Sequence, residues 1–99
     1  MRITPRQIST IHDIATEMFG ADVRVYLFGS RVDDAQRGGD IDLLVEVAHE
    51  IENRPSAAAR FAAKLQRRLG DRRIDVLIID PQTKPQPIHT IAKATGVVL

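Results

Sequence analysis

Residues 29–40, GSRVDDAQRGGD, separate two apolar runs of strand length without supplying a helix. The first run, VRVYLF (23–28), is β-branched and aromatic, and the second, IDLLVEV (41–47), is nearly continuous in Ile, Leu and Val, as strands are. The Gly38-Gly39 pair marks the joining stretch as a loop. Parallel neighbours need a crossover of a dozen or more residues, usually a helix. Two successive strands without one make the sheet mixed rather than all parallel.

Helical periodicity flanks these strands. TPRQISTIHDIATEMFG opens with Thr4 as N-cap, Pro5 at the first helical position and Gln7 closing a capping box. Ile8, Ile11, Ala15 and Met18 recur at helical spacing, Ile14 and Phe19 widen the stripe, and Gly20 ends it. After the polar linker HEIENRPS, the stretch AAARFAAKLQRRLG predicts a second helix, with Ala58, Phe61, Ala62, Leu65 and Leu69 inward and Gly70 at its end. RIDVLIID (73–80) predicts a third strand. Pro81, Pro85 and Pro87 then keep the chain irregular before a short terminal segment, IHTIAKATGVVL, read as a last helix. The order helix, strand, strand, helix, strand, helix predicts an α/β (α+β) fold, a small mixed β-sheet flanked by helices. Ninety-nine residues suit a single domain, 1–99.

Composition narrows the function. A formal net charge of +1 provides no global field to draw in nucleic acid or an anionic membrane. The absence of cysteine excludes disulfides, thiolate metal sites and a cysteine nucleophile. The N-terminus has no signal-peptide core, and no segment approaches the ~20 apolar residues of a membrane span. The expectation is a soluble, cytoplasmic protein away from membranes. Aromatic residues are only 4% and are not interleaved with basic ones, so direct nucleic-acid binding is not expected. The modest core of so short a chain is compatible with a homo-oligomer.

Carboxylates stand where packing alone would not put them. Side chains alternate along a strand, so Asp40 and Asp42 share a face while Ile41, Leu43, Val45 and Val47 take the core side. The third strand repeats the arrangement, with Asp75 opposite Ile74, Val76 and Ile78. If the two strands are neighbours, three carboxylates converge. Two unit charges about 4 Å apart repel by roughly 1 kcal/mol in water and about 4 at an intermediate dielectric, so such a cluster calls for protons or cations. A lone Asp at a strand end is ordinarily a cap, but an Asp-x-Asp pair within an apolar strand is harder to explain structurally. Hard oxygen ligands with no cysteine and no adjacent histidine favour Mg²⁺ or Mn²⁺ over Zn²⁺. Two such ions on shared carboxylates serve in-line phosphoryl or nucleotidyl transfer.

Gly29-Ser30 follows the first strand directly. Backbone N–H groups at such a turn form an anion-binding nest, the serine hydroxyl adds a donor, and glycine permits close approach to a phosphate. GSRVDDAQRGGDID resembles the Gly-Ser-x(9)-Asp-x-Asp signature of the nucleotidyltransferase superfamily that includes DNA polymerase beta. The later IDVLI is similar to the strand supplying that superfamily's third carboxylate, and the size and element order resemble its minimal nucleotidyltransferase (MNT) branch.

The resemblance implies a polymerase beta-like fold and a mechanism. Gly29 and Ser30 would hold the β- and γ-phosphates of a nucleoside triphosphate. Asp40 and Asp42 would bind the metals, and Asp75 would complete that site and help deprotonate the attacking hydroxyl. Members of the minimal branch are often antitoxins paired with a HEPN-domain ribonuclease toxin, and some transfer AMP from ATP to a tyrosine of that toxin. The expectation is therefore a nucleotidyltransferase of the protein adenylyltransferase type, with ATP as donor, two Mg²⁺ ions and a HEPN toxin as acceptor. The chain stops about twenty residues after Asp75, so the acceptor site is expected on a partner. The alternative is a non-catalytic antitoxin of the same fold that neutralises its partner by binding.

Arg60, Lys64, Arg67 and Arg68 form a basic stripe on the second helix, ordinarily a solvated face. Lys64, central in it, is the candidate phosphate contact, and Arg31, beside Ser30, is another. His12, His49 and His89 have no mutual spacing that suggests a metal site, and Ser30 has no histidine or lysine beside it to make a hydrolase nucleophile. A metal-dependent phosphodiesterase would use the same carboxylates but leave the Gly-Ser turn unexplained.

Overall fold

A computed structural model describes residues 3–28, 41–70, 73–84, 86, 87, 90, 93 and 96–99. Helix α1 (Pro5–Phe19) starts as its capping box requires: the Gln7 amide donates to Thr4 Oγ1 at 3.1 Å and the Thr4 amide to Gln7 Oε1 at 2.9 Å. Strands β1 (Arg24–Phe28) and β2 (Ile41–Glu46) pair antiparallel. Helix α2 (Arg54–Leu69) then crosses over to β3 (Ile74–Ile79), which lies parallel to β2. A two-residue strand, β4 (Val97–Val98), pairs antiparallel with the free side of β1. The sheet order is β3-β2-β1-β4, a mixed sheet as expected.

Both helices end at a glycine with positive φ, Gly20 at 96° and Gly70 at 94°, a conformation that a β-carbon would strain. The helix start of α2 lies earlier than the apolar pattern suggests. Asn53 accepts from the Ser56 amide at 3.0 Å, so HEIENRPS is a linker only as far as that cap. The terminal segment also departs from expectation. Pro87, Thr90 and Lys93 have helical backbone, but the chain finishes in β4.

The helices cover one face of the sheet. Ile41, Leu43 and Val45 of β2 and Ile74 and Ile78 of β3 are buried against Ile11, Ile14, Ala15 and Phe19 of α1 and Phe61 and Leu65 of α2. Phe61 meets Phe19 edge to face, with ring centroids 5.6 Å apart. The other face carries a smaller apolar cluster of Tyr26 and Leu44 with Phe28, Leu77 and Ile79 against it. Beside it Lys93 Nζ reaches Glu46 Oε2 at 2.7 Å.

The end of β3 is held by Asp80, whose side chain is fully buried. It accepts from the Ile51 amide (2.7 Å), Arg54 Nη1 (2.9 Å), Thr83 Oγ1 (3.0 Å) and the Gln82 amide (3.0 Å). One carboxylate thereby ties the linker, the first turn of α2 and the turn after β3 together. The Ile51 amide does most to hold its carboxyl down at about 2, from 3.8, with Thr83, Arg54 and Gln82 adding to this against burial, which pushes it up. A depressed carboxylate stabilises the fold fully above its unfolded pKa and loses that contribution as pH falls through the folded one. Thermal melts should therefore show stability falling between about pH 4 and about pH 2. Asp80→Asn should melt lower at neutral pH and lose less across that window. An equal acid loss in both proteins would remove Asp80 from the account.

Candidate active site

Two strand starts and one strand end bring the polar residues together. β2 and β3 run parallel with Asp42 opposite Asp75, while antiparallel β1 sets Phe28, its last residue, opposite Asp42 from the other side. Phe28, Asp42 and Asp75 therefore form one row across the sheet. Alternation decides the face. Ile41, Leu43, Ile74 and Val76 pack toward the helices, so Asp42 and Asp75 share the face away from them. Asp42 is half-buried and Asp75 is exposed.

Neighbouring strands are about 5 Å apart, and like charges directly opposite one another on adjacent strands destabilise a sheet. At that spacing two carboxylates repel by about 1 kcal/mol in water and about 3 at an intermediate dielectric. Part of this is offset by Arg73, whose Nε lies 3.4 Å from Asp75 Oδ2. The pair is largely solvated, so the offset is small. The row sets two carboxylates side by side on paired strands, an arrangement suited to a cation.

Among the described residues no three ligating side chains converge. Asp40, the third expected ligand, lies outside those residues, as do Gly29, Ser30 and Arg31. What is described places the end of β1 and the start of β2, the two points from which these residues extend, beside Asp42 and Asp75. Asp42 and Asp75 offer hard oxygen donors side by side at a sheet end, which fits Mg²⁺ or Mn²⁺.

Lys64 is not brought to this face. It stands on α2 beside α1, with its Nζ 3.7 Å from Glu17 Oε1, in the helical layer that covers the opposite side of the sheet. Burial of Phe61 and Leu65 sets the rotation of α2 and so carries Lys64 there. Among the described residues, a cation that does stand at the row is Arg73. Its signal in the sequence is the Arg-x-Asp spacing, which puts both side chains on one face of an extended chain. Asp80 was equally legible: Asp-Pro-x-Thr is the pattern of a turn closed by its own side chain.

No helix among the described residues is long and apolar enough to cross a membrane. A family model described as polymerase beta, nucleotidyltransferase matches residues 11–99. No curated protein matches the chain.

Proposed function

The chain belongs to the polymerase beta nucleotidyltransferase family, and on that premise we propose that it transfers AMP from ATP to a tyrosine hydroxyl of a HEPN-type ribonuclease and so acts as its antitoxin. The observation that carries the catalytic reading is the in-register placement of Asp42 and Asp75 on one sheet face, beside the end of β1. Two carboxylates held side by side on paired strands are an arrangement that a divalent cation suits.

In this reading Asp40, Asp42 and Asp75 would hold two Mg²⁺ ions, which when bound neutralise the triphosphate and polarise the α-phosphorus. Gly29 and Ser30 bind the β- and γ-phosphates through backbone N–H groups and the serine hydroxyl, and Arg31 adds a positive charge to that contact. Asp75 accepts the proton of the acceptor hydroxyl. The acceptor oxygen then bonds to the α-phosphorus, the bond from that phosphorus to the bridging oxygen breaks, and pyrophosphate leaves. Little of this is covalent work by the protein; orientation and charge placement supply most of the acceleration.

The test is incubation of the protein with a HEPN ribonuclease encoded beside it, Mg²⁺ and labelled ATP. Label on a partner tyrosine, lost in Asp40→Ala/Asp42→Ala, is the expected result. No transfer, together with undiminished neutralisation of the ribonuclease by that variant, would overturn catalysis in favour of neutralisation by binding alone. Label on another acceptor would correct the substrate and leave the chemistry standing.

A further inference from the structure

Strand β3 stands at one end of the sheet order. The amides of Ile41 and Val47 donate to the carbonyls of Arg73 and Ile79, each at 2.9 Å. Peptide groups alternate sides along a paired strand. Residues 73, 75, 77 and 79 therefore turn theirs toward β2, and Ile74, Val76 and Ile78 turn theirs outward. Among the described residues no strand pairs with that outer side. Backbone N–H and C=O groups call for partners, and the usual guards of an open edge are absent: the strand, IDVLII, holds no proline and no lysine.

This edge also lies on one particular side of the carboxylate row. In-line transfer sets the attacking oxygen and the leaving pyrophosphate on opposite sides of the α-phosphorus. β1, which leads into Gly29 and Ser30, flanks β2 on one side, and β3 flanks it on the other. With the triphosphate at the end of β1, the attacking hydroxyl comes in over β3.

We propose that the outer edge of β3 docks the acceptor protein as an added antiparallel strand, with its tyrosine opposite Asp75; this rests on the transfer reading above. Antiparallel pairing is the more stable kind. Because Asp75 turns its peptide groups to β2, the tyrosine forms a non-hydrogen-bonded pair with it, Cα atoms about 4.5 Å apart and side chains close. Opposed side chains share a face, so the tyrosine rises on the carboxylate face, clear of the helices. Its two neighbours exchange hydrogen bonds with Ile74 and Val76. Their side chains fall on the helical side beside those of Ile74 and Val76, which suits apolar residues. The residue two after the tyrosine falls opposite Arg73, whose side chain is 73% exposed, and an acid suits that place. The acceptor segment therefore reads apolar-Tyr-apolar-acid, with main-chain bonds giving affinity and alternate side chains giving selectivity. A second copy paired through its own β3, which contains no hydroxyl side chain, would block the site rather than supply it.

The experiment measures the anisotropy of a short labelled peptide containing Val-Tyr-Val-Glu, first without nucleotide or metal and then with Mg²⁺ and ATP as acceptor. Methylating the backbone nitrogen of either valine should weaken binding by at least about tenfold, since it strands a β3 carbonyl. Methylating the tyrosine nitrogen, which points away from β3, should not. Arg73→Glu should reverse the preference for this peptide over one with Lys in place of Glu. Val76→Pro removes an outward donor where an edge strand tolerates proline and should abolish binding. Circular dichroism checks that it is folded, and the methylated peptides probe the same contact on the unaltered protein. Equal binding of all the methylated peptides, or a preference unmoved by Arg73→Glu, would overturn the proposal. So would a dimer that Val76→Pro dissociates and the peptide does not, which gives the edge to a second copy. A bound peptide that takes no label while the ribonuclease does overturns the placement of the tyrosine alone. Label on neither overturns the transfer reading and this proposal with it.

Discussion

Asp42→Asn and Asp75→Asn are each expected to lower the rate of nucleotidyl transfer by at least about 10²–10³-fold, the loss measured when one preorganised charge-stabilising group is removed from an active site. The two variants should resemble one another because their residues are register partners facing a single point on the sheet, and residues acting as a unit give non-additive losses. The double variant should therefore be little slower than the worse of the two. Stability separates this outcome from misfolding. Asp75 is exposed and its Arg73 contact is a solvated one, worth about 0–1 kcal/mol. Removing its charge also relieves repulsion across β2 and β3. The melting temperature of Asp75→Asn should thus hold within a few degrees or rise while activity falls. Calorimetry should show Mg²⁺–nucleotide binding weakened in step with the rate. Unchanged transfer in either variant would remove that residue from the site.

Phe61→Ala is expected to destabilise the fold by about 3–5 kcal/mol, the range for truncating a fully buried aromatic. Against a total of about 5–15 kcal/mol for a domain, much of the protein would be unfolded under mild urea. Phe61 is completely buried and contacts Phe19 edge to face, so one truncation opens the space between α1, α2 and the sheet. The smaller cluster of Tyr26 and Leu44 lies on the other face of the sheet and cannot fill that space. Phe61→Leu should cost less than half as much, and the exposed neighbour Arg60→Gln should change stability by no more than about 0.5 kcal/mol. Urea unfolding midpoints measure all three. A midpoint for Phe61→Ala close to that of the parent would mean that α2 is not held by this contact.

Local chemistry made much of the fold legible. Thr4, Pro5 and Gln7 state the start of α1 because their hydrogen bonds close within a few residues, and alternation in 41–47 and 73–80 states which side of each strand faces the helices. The start of α2 was harder to read. Asn53 caps it, but its signal lies in a polar stretch, ahead of the apolar stripe. β4 was missed because Val97 and Val98 become a strand only by pairing with β1, a contact across most of the chain. The candidate site divides the same way. Asp42 and Asp75 are legible as acids within apolar strands, while the register that makes them neighbours comes from the pairing of β2 with β3. Lys64 stands out in the sequence by its place along a stripe, and the rotation of α2 that puts it beside Glu17 does not follow from that spacing.

The sequence by itself determined which residues face each other within an element, the ends of α1, the mixed character of the sheet and the family signature. These follow from bond geometry, side-chain alternation and hydrogen bonds that close within a few residues. Only the tertiary structure decided the order β3-β2-β1-β4, the opposition of Asp42 and Asp75, the seat of Lys64 on the helical layer and the burial of Asp80 against Ile51 and Arg54. Each of these joins residues far apart in the chain. Such contacts form only where burying the shared core offsets the entropy of closing the chain between them, and a pattern within one element carries no record of that balance.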